Sequence, residues 1–254
     1  GPGFQNLVLD NRCLTICSSA GRDSSTLDLG GAPFILVTDS TQNEETFTLR
    51  DLTISNSSVE YGPGARIDII NCRFIGSTVY DALPSGYGLI DSCVFQQSTI
   101  ALEDSVHQTI SNSLFLSAGW AGIHCQDASG ATIVGNIFAN NHDGIYAYIT
   151  RGFVIERNVF VGNQSGISDD LWTVDVDLND NLFYDNGQNL SYFRVPPDAT
   201  GHIYDQDPRF FNLPETDRPV RPDSPHIPHN TPRFPLPTPT HPCLRAPISH
   251  PGTP

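Results

Sequence analysis

Apolar residues recur along this chain at a regular spacing that they share with asparagine and glycine. The segment ATIVGNIFANNHDGI begins at Ala131, and FVIERNVFVGNQSGI begins at Phe153, 22 residues later. Both carry Ile, Asn, Phe, Asn, Gly and Ile at the same places and differ almost everywhere between them. This pattern indicates a structural repeat rather than one isolated motif.

Four positions define the repeat. The anchor is an aromatic or aliphatic residue that returns every 20 to 23 residues, at Ile54, Phe74, Phe95, Phe115, Phe138, Phe160 and Phe183. Five residues earlier the chain always has Leu or Ile, at Leu49, Ile69, Ile90, Ile110, Ile133, Ile155 and Leu178. Two residues before the anchor come Leu52, Cys72, Cys93, Ser113, Asn136, Asn158 and Asn181. Three residues after it come Ser57, Ser77, Ser98, Ala118, Asn141, Asn163 and Asn186.

The repeat predicts an all-β solenoid. Leucine-rich repeats have a similar period but need a leucine series, which is missing here. Short alternating apolar runs broken by Asn and Gly are typical of strand, turn and strand. Three short strands with their turns use about 22 residues, so each repeat forms one coil of a parallel β-helix, with equivalent residues about 4.8 Å apart in successive coils. We expect eight or nine coils over residues 5–190.

The shared asparagines have a structural explanation. An Asn inside a turn can hydrogen-bond to the backbone and to the equivalent Asn of the next coil, which forms a ladder. We therefore expect Asn136, Asn158 and Asn181 to stack with their side chains inward, and Phe138 and Phe160 to fill the core. Asn and Gly are also expected to supply the left-handed backbone that the turns need.

The motif I-x-x-N-x-F-x-x-N-x-x-G-I resembles the repeat of the pectate-lyase-like right-handed parallel β-helix superfamily. The opening residues 2–31 resemble the first coils of such proteins, and DQDPRFFNLPETDRPVRPDSPHI (205–227) resembles their closing segment. The resemblance implies a β-helical domain over residues 1–212. Residues 213–254 are rich in proline and predict an extended tail, because proline cannot donate to a strand ladder or continue a helix.

Composition narrows the classes of partner. The formal net charge is −15 and the chain has no lysine, so a basic groove for nucleic acid is not expected. No apolar run is long enough for a membrane span. Six cysteines without a C-x-x-C pair favour an oxidising, extracellular location over a zinc site.

Cysteine spacing suggests one disulfide bond. Cys72 and Cys93 share one position in successive coils, which permits either a disulfide or a stack of free thiols. The pairing of Cys13, Cys17, Cys125 and Cys243 stays open. Three Asn-x-Ser sequons occur at Asn56, Asn163 and Asn189; Asn163 is also a ladder position, so Asn56 and Asn189 are the better candidate glycosylation sites.

Candidate chemistry lies on the strands that follow each Gly-Ile pair. The resemblance implies that a polysaccharide-active member would use a groove on this face. Its outward residues, with Arg151 near the edge, give a candidate catalytic set of His124, Tyr146, Arg151 and Asp170. Candidate sugar-binding residues are Trp120, Gln126, Tyr148 and Trp172. The alternative is an ordinary solvated face of a β-helix.

The missing lysine excludes lysine-dependent lyase and epimerase mechanisms, but it leaves versions based on Arg, Tyr or His. Apart from Ca²⁺, no cofactor is expected. Clustered carboxylates could hold Ca²⁺, and the candidate ligands are Asp169, Asp175 and Asp177; a solvated acidic strip is the alternative.

Two functions follow from the sequence. The first is an extracellular, non-catalytic scaffold, on a cell surface or in a fibre, that self-associates through its ends and residues 229–254. The second is a lysine-independent lyase, epimerase or glycoside hydrolase that acts on acidic glycans.

Overall fold

The chain folds into a parallel β-helix of three sheets, as the repeat predicted. A computed structural model describes residues 7–10, 14–37, 46–61, 66–81, 87–104, 107–170, 173–192 and 199–208. Within these residues the three sheets contain nine, eight and nine strands, and every pairing between neighbouring strands is parallel. One short 3-10 helix, Arg22–Ser24, precedes the third strand.

Sheet A carries the face on which the candidate chemistry was predicted. In spatial order its strands are β1 (Leu7–Asp10), β4 (Phe34–Val37), β7 (Ser58–Tyr61), β10 (Thr78–Asp81), β13 (Thr99–Glu103), β16 (Ala121–Gln126), β19 (Asp143–Tyr148), β22 (Ser165–Asp169) and β25 (Gln188–Ser191).

Sheet B contains the Leu and Ile residues five places before each anchor. Its strands are β2 (Leu14–Cys17), β5 (Thr46–Arg50), β8 (Arg66–Ile70), β11 (Tyr87–Asp91), β14 (Gln108–Ser111), β17 (Thr132–Val134), β20 (Val154–Glu156) and β23 (Asp177–Asn179).

Sheet C contains the anchors themselves. Its strands, in chain order, are β3 (Thr26–Asp28), β6 (Thr53–Ser55), β9 (Arg73–Ile75), β12 (Val94–Gln96), β15 (Leu114–Leu116), β18 (Ile137–Ala139), β21 (Val159–Val161), β24 (Leu182–Tyr184) and β26 (Ile203–Tyr204).

The anchors form a continuous aromatic stack along the core. Phe138 pairs with Phe160 in register, and both are fully buried. Ring centroids of successive phenylalanines from Phe74 to Phe183 lie 4.8–4.9 Å apart, with planes within 10° of parallel. The predicted register and the burial of Phe138 and Phe160 are confirmed.

The predicted asparagine ladder is also present. The backbone N–H of Asn136 donates to Asn158 Oδ1 at 2.9 Å, and that of Asn158 donates to Asn181 Oδ1 at 2.9 Å. All three side chains are fully buried. Asn141, Asn163 and Asn186 form a second ladder with the same geometry. Since each side chain satisfies backbone groups that the corner leaves unpaired, these asparagines stabilise the scaffold.

Asn and Gly do occupy many of the left-handed turn positions, as expected, but the ladder asparagines and the Gly-Ile glycines are not among them. The left-handed positions are those just before the ladder residues, such as Gly135 (φ 66°), Arg157 (φ 55°) and Asn140 (φ 56°). The glycines of the Gly-Ile pairs are not left-handed. A Cβ on Gly144 would lie 2.7 Å from the Phe160 ring and 2.5 Å from the Gly166 carbonyl oxygen. Glycine is required there because the corner packs against the aromatic stack.

The Cys72–Cys93 disulfide is absent, and both residues are buried free thiols, as is Cys125. Equivalent side chains in successive parallel coils have Cβ atoms about 4.8 Å apart, beyond the ~3.5–4.5 Å that a disulfide favours. Cys93 Sγ instead accepts from the Cys72 backbone N–H at 3.4 Å. Cys17 does take part in a disulfide, while Cys13 and Cys243 lie outside the described residues.

The predictions for the tail also lie outside the described residues, which end at residue 208. These include the boundary at 212, the extended segment 213–254 and assembly through residues 229–254. Among the residues that are described, no helix is long and apolar enough to cross a membrane.

Candidate functional site

Sheet A presents one outward column of side chains in register across its later coils. Ala101 pairs with His124, His124 with Tyr146, and Tyr146 with Ser168. The flanking residues Ile123, Ile145 and Ile167 point inward and are fully buried. Because side chains alternate along a strand, burial of the isoleucines fixes His124 and Tyr146 on the outer face.

His124 and Tyr146 belong to a cluster of three rings, which we call the aromatic cluster: Trp120, His124 and Tyr146. The Trp120 ring lies 4.3 Å from the His124 ring and 5.6 Å from the Tyr146 ring, and His124 lies 5.4 Å from Tyr146 between centroids. Trp120 is 50% exposed, whereas His124 is buried beneath it at 7%. Trp120 comes from the turn before β16, so two successive coils build the cluster.

A second outward column lies beside the cluster. Glu103 pairs with Gln126, and Gln126 pairs with Tyr148. Gln126 is exposed and Tyr148 is 36% exposed. Tyr148 therefore adds another accessible ring, with an amide and a carboxylate in the same column.

The electrostatic surroundings keep both central groups uncharged near neutral pH. Burial lowers the pKa of His124, and Glu103 only partly opposes this shift. Burial raises the pKa of Tyr146, and the carboxylates of Asp170, Asp143 and Asp169 add to the rise. A neutral imidazole can accept a proton and a protonated phenol can donate one, so the pair is suited to acid–base chemistry.

The charge of Asp170 acts on Tyr146. Arg151, in contrast, is not on a strand of sheet A. Arg151 lies in the turn after β19, where its backbone pairs with Ser129 and Val174, and its side chain is exposed. Among the described residues no hydrogen bond or ion pair joins Arg151 to the aromatic cluster. Trp172 is outside the described residues. The structure thus brings together His124 and Tyr146, with Trp120 in the same cluster and Gln126 and Tyr148 in the neighbouring column. Asp170 joins them only through the effect of its charge on Tyr146.

The three candidate calcium ligands do not converge. Asp169 ends β22, where its Oδ1 accepts from Thr173 Oγ1 at 2.6 Å and from the Asp170 N–H at 2.7 Å. Asp175 lies in a left-handed turn and Asp177 on sheet B, both exposed. Within the described ranges, no group of three or more His, Cys, Asp or Glu residues is arranged to hold a metal ion.

The asparagines of the three sequons differ in how far they are exposed. Asn56 is exposed in a left-handed turn, where its Nδ2 lies 3.3 Å from Asp28 Oδ2. Asn163 is 2% exposed within the second ladder, as expected. Asn189 is half-buried and accepts a hydrogen bond from Asn186.

Two features of this face were missed from the sequence. Tyr80 donates to Glu103 Oε2 at 2.7 Å, and this bond, with burial, raises the pKa of Tyr80 to about 12. Asp169 points inward, since it pairs with Ala147 in the column of Cys125. The number of residues between the anchor phenylalanine and the outward column varies between coils. Aligning the columns on the inward isoleucines instead would have found both features.

The comparisons with known proteins agree with this architecture. Residues 35–194 match the family profile described as a right-handed β-helix region. No curated protein sequence matches the chain. A solved structure with a similar fold is the A-module of the mannuronan C-5 epimerase AlgE4 from Azotobacter vinelandii. The identity is 12%, with 80% of this chain and 82% of that chain covered and a TM-score of 0.38.

Two further solved structures are similar at the same level. Tailspike protein 3 of bacteriophage CBA120 has 13% identity and a TM-score of 0.34, with 85% of this chain and 58% of that chain covered. The A-module of the A. vinelandii mannuronan C-5 epimerase AlgE6 has 11% identity and a TM-score of 0.32, with 78% and 88% covered. These likenesses concern the fold and do not bear on the activity of this chain.

Proposed function

This chain belongs to the right-handed β-helix family, and we propose that it is an extracellular scaffold that binds a neutral glycan along the outer face of sheet A. The observation that carries the proposal is the aromatic cluster. Three rings lie within 5.6 Å of one another on the outer face, and Trp120 is half-exposed above them.

This arrangement suits a sugar ring for two reasons. The exposed faces of Trp120 and Tyr148 offer flat apolar surface to the C–H face of a pyranose, and a rigid aromatic side chain loses little entropy on binding. Gln126 and Glu103 lie beside Tyr148 in register, and can hydrogen-bond to sugar hydroxyl groups. A face that combines apolar rings with a few polar groups is typical of small-molecule sites.

The charge around the cluster favours a neutral glycan over an acidic one. The charged groups that act on His124 and Tyr146 are carboxylates, namely Glu103, Asp143, Asp169 and Asp170, and no arginine is among them. A polyanion would bring further negative charge against this set at short range, which is unfavourable at low effective dielectric. The acidic glycans considered from the sequence are therefore the poorer candidates.

The extracellular location is part of the proposal. A disulfide at Cys17 is stable in an oxidising compartment, and the sequon at Asn56 is exposed. N-glycosylation at Asn56 and Asn189, and self-association through the ends and residues 229–254, remain predictions of this scaffold function.

Affinity gel electrophoresis tests the binding function. The purified chain should be retarded by one or more neutral polysaccharides and much less by polyuronates. Trp120→Ala and Tyr148→Ala should each weaken the apparent affinity about tenfold, which corresponds to about 1.4 kcal/mol of lost contact. Tyr192→Ala is the matched control, because Tyr192 is 76% exposed and follows β25, two strands beyond Tyr148 in sheet A. Equal loss in the control, or no retardation by any neutral glycan, would reject the proposal.

The pairing of His124 with Tyr146 supports catalysis as a second candidate. The imidazole is neutral and the phenol is protonated, with ring centroids 5.4 Å apart. A base and an acid on one face could transfer protons in a lysine-independent lyase, epimerase or hydrolase. Tyr146→Phe separates the two candidates, since it keeps the ring and removes the acid. Product release that disappears in this variant while binding persists would favour the enzyme.

A further inference from the structure

His202 occupies the ladder position of an eighth coil, counted from the Ile54 repeat, that the sequence repeat does not reveal; its strand β26 is the ninth of sheet C. β24 pairs with β26 so that Phe183 faces Tyr204 and Leu182 faces Ile203. His202, directly before Ile203, therefore stands where Asn181 stands one coil earlier. Tyr204 continues the aromatic stack, with its ring 5.5 Å from that of Phe183.

His202 takes over the acceptor function of a ladder asparagine. In the preceding coil the Asn158 N–H donates to Asn181 Oδ1, and at the end of the ladder the Asn181 N–H donates to His202 Nδ1 at 3.3 Å. The next step of the ladder thus replaces an amide oxygen by an imidazole nitrogen.

The other ring nitrogen does not complete the ladder as the amide nitrogen does. Ladder asparagines donate from Nδ2 to the carbonyl oxygens of Ile110, Ile133 and Ile155. Leu178 is next in that series, and its backbone raises the pKa of the imidazole. His202 Nε2 is buried and has no hydrogen-bond partner among the described residues. The ring therefore holds the place of an asparagine, with one end of the ladder incompletely satisfied.

An imidazole differs from an amide in that it can gain a proton. Nδ1 accepts from Asn181 only while it is unprotonated, so the bonded tautomer carries its proton on Nε2. In the imidazolium both nitrogens donate, and the Nδ1–H would face the Asn181 N–H. Asn136, Asn158 and Asn181 keep their bonds at any pH at which the fold survives.

We propose that His202 makes attachment of the coil at residues 199–208 pH-dependent, so that its protonation opens this coil while the asparagine-laddered coils stay closed. Among the described residues, backbone bonds also hold this coil: Ile203 donates to the Asn181 carbonyl, Asp205 to the Phe183 carbonyl and Asp180 to the Thr200 carbonyl. Thr200 donates to Asn179 Oδ1 from both its N–H and its hydroxyl. The charged group that faces the imidazole is Asp180, and the titratable ring beside it is Tyr204.

The direction of the effect follows from linkage. Burial lowers the pKa of His202, and the Asn181 backbone, the Asp180 carboxylate and the Leu178 backbone oppose the shift without reversing it. A histidine whose folded pKa is depressed stabilises the closed coil fully above its unfolded pKa of about 6.5, and this contribution is lost as pH falls through the folded pKa. The opening equilibrium should rise about tenfold for each pH unit that separates the two pKa values.

Amide hydrogen exchange across pH 4.5–7.5 tests the proposal, with rates corrected for intrinsic exchange. The amides of Ile203 and Asp205 should lose protection as pH falls, while those of Val159 and Leu182, which donate to Asn136 and Asn158, should not. His202→Asn restores the ladder residue and should hold protection in 199–208 constant, whereas His202→Ala should lack it at every pH. Constant protection in the wild type, or the same acid loss in His202→Asn, would overturn the proposal.

A second measurement keeps the test independent of whether the variants fold. In the wild-type chain, ¹⁵N NMR of the imidazole should find the Nε2–H tautomer above the transition and a pKa for His202 below 6.5. An Nδ1–H tautomer would contradict the inferred bond from Asn181.

Discussion

Asn181 Oδ1 accepts two hydrogen bonds from Asn158, one from the backbone N–H at 2.9 Å and one from the side-chain Nδ2 at 3.1 Å. Asn158 repeats this arrangement toward Asn136, with an acceptor oxygen that also takes two bonds. The Asn158 side chain therefore bonds to the coil before it, at Asn136 and Ile133, and to the coil after it, at Asn181. Its removal should affect both neighbouring coils.

Asn158→Ala tests this coupling. The variant leaves the Asn136 N–H and the Ile133 carbonyl without their partners in a fully buried corner. Each buried group stranded in this way costs about 1–3 kcal/mol, so the free energy of unfolding should fall by about 2–6 kcal/mol. Urea denaturation measures the change. Gln164→Ala, at an exposed site, should stay within about 0.5 kcal/mol; similar effects of the two variants would refute the ladder's energetic role.

Gly144→Ala tests the tight corner between sheets C and A. The new methyl group would press against Phe160 and the Gly166 carbonyl, and such overpacking costs about 1–3 kcal/mol. Gly119→Ala is the matched control, because a Cβ there meets nothing within 4 Å. Thermal unfolding should separate the two variants clearly; a neutral Gly144→Ala would show that the corner can relax.

The titration of His124 tests the electrostatics of the candidate site. Burial lowers the pKa of His124 and Glu103 opposes this shift, so Glu103→Gln should lower the pKa further. NMR titration of the imidazole resonances measures both values. Since the folded pKa is depressed, the neutral imidazole stabilises the fold above about pH 6.5, and that contribution is lost as pH falls through the folded value. A rise of the pKa in Glu103→Gln would contradict the assigned cause.

Cysteine alkylation tests the free thiols. Burial raises the pKa of Cys72 to about 12 and raises those of Cys93 and Cys125 as well. Because the thiolate is the reactive form, none of these three residues should react with iodoacetamide in the folded chain at pH 8. In denaturant without reductant all three should be alkylated, as read by peptide mass spectrometry. Protection of Cys72 and Cys93 in that state would instead indicate the disulfide that is absent here.

The sequence predicted the parts of the fold that depend on spacing alone. Inward stacking of Phe138 on Phe160 and of Asn158 on Asn181 follows from a period of one coil, because equivalent residues must then be neighbours. The eighth coil escaped notice since His202 and Tyr204 replace the expected Asn and Phe. The need for Gly144 was attributed to backbone conformation, whereas the cause is a contact with Phe160 from the next coil, about which spacing carries no information.

Within the candidate site, the sequence predicted only those side chains whose direction follows from the alternation of inward and outward residues along a strand. His124 and Tyr146 follow inward isoleucines and had to face outward. Arg151 was expected at the edge of the same face, but the chain leaves sheet A after Tyr148. The register of Cys72 and Cys93 does bear on their pairing, because a spacing of about 4.8 Å between equivalent Cβ atoms exceeds the ~3.5–4.5 Å that a disulfide favours.

Between Asn136 and Asn186 the aromatic stack and both ladders have uniform partners, which implies that this part of the protein can change length only in whole coils. Removing 22 or 23 residues that span one complete coil brings an Asn to an Asn and a Phe to a Phe, and the two new neighbours find the interactions that each had before. Removing a single residue inside a strand reverses which side chains face inward for the rest of that strand. Evolution or engineering should therefore alter this solenoid by duplicating or deleting coils, and smaller insertions should persist only in the loops between them.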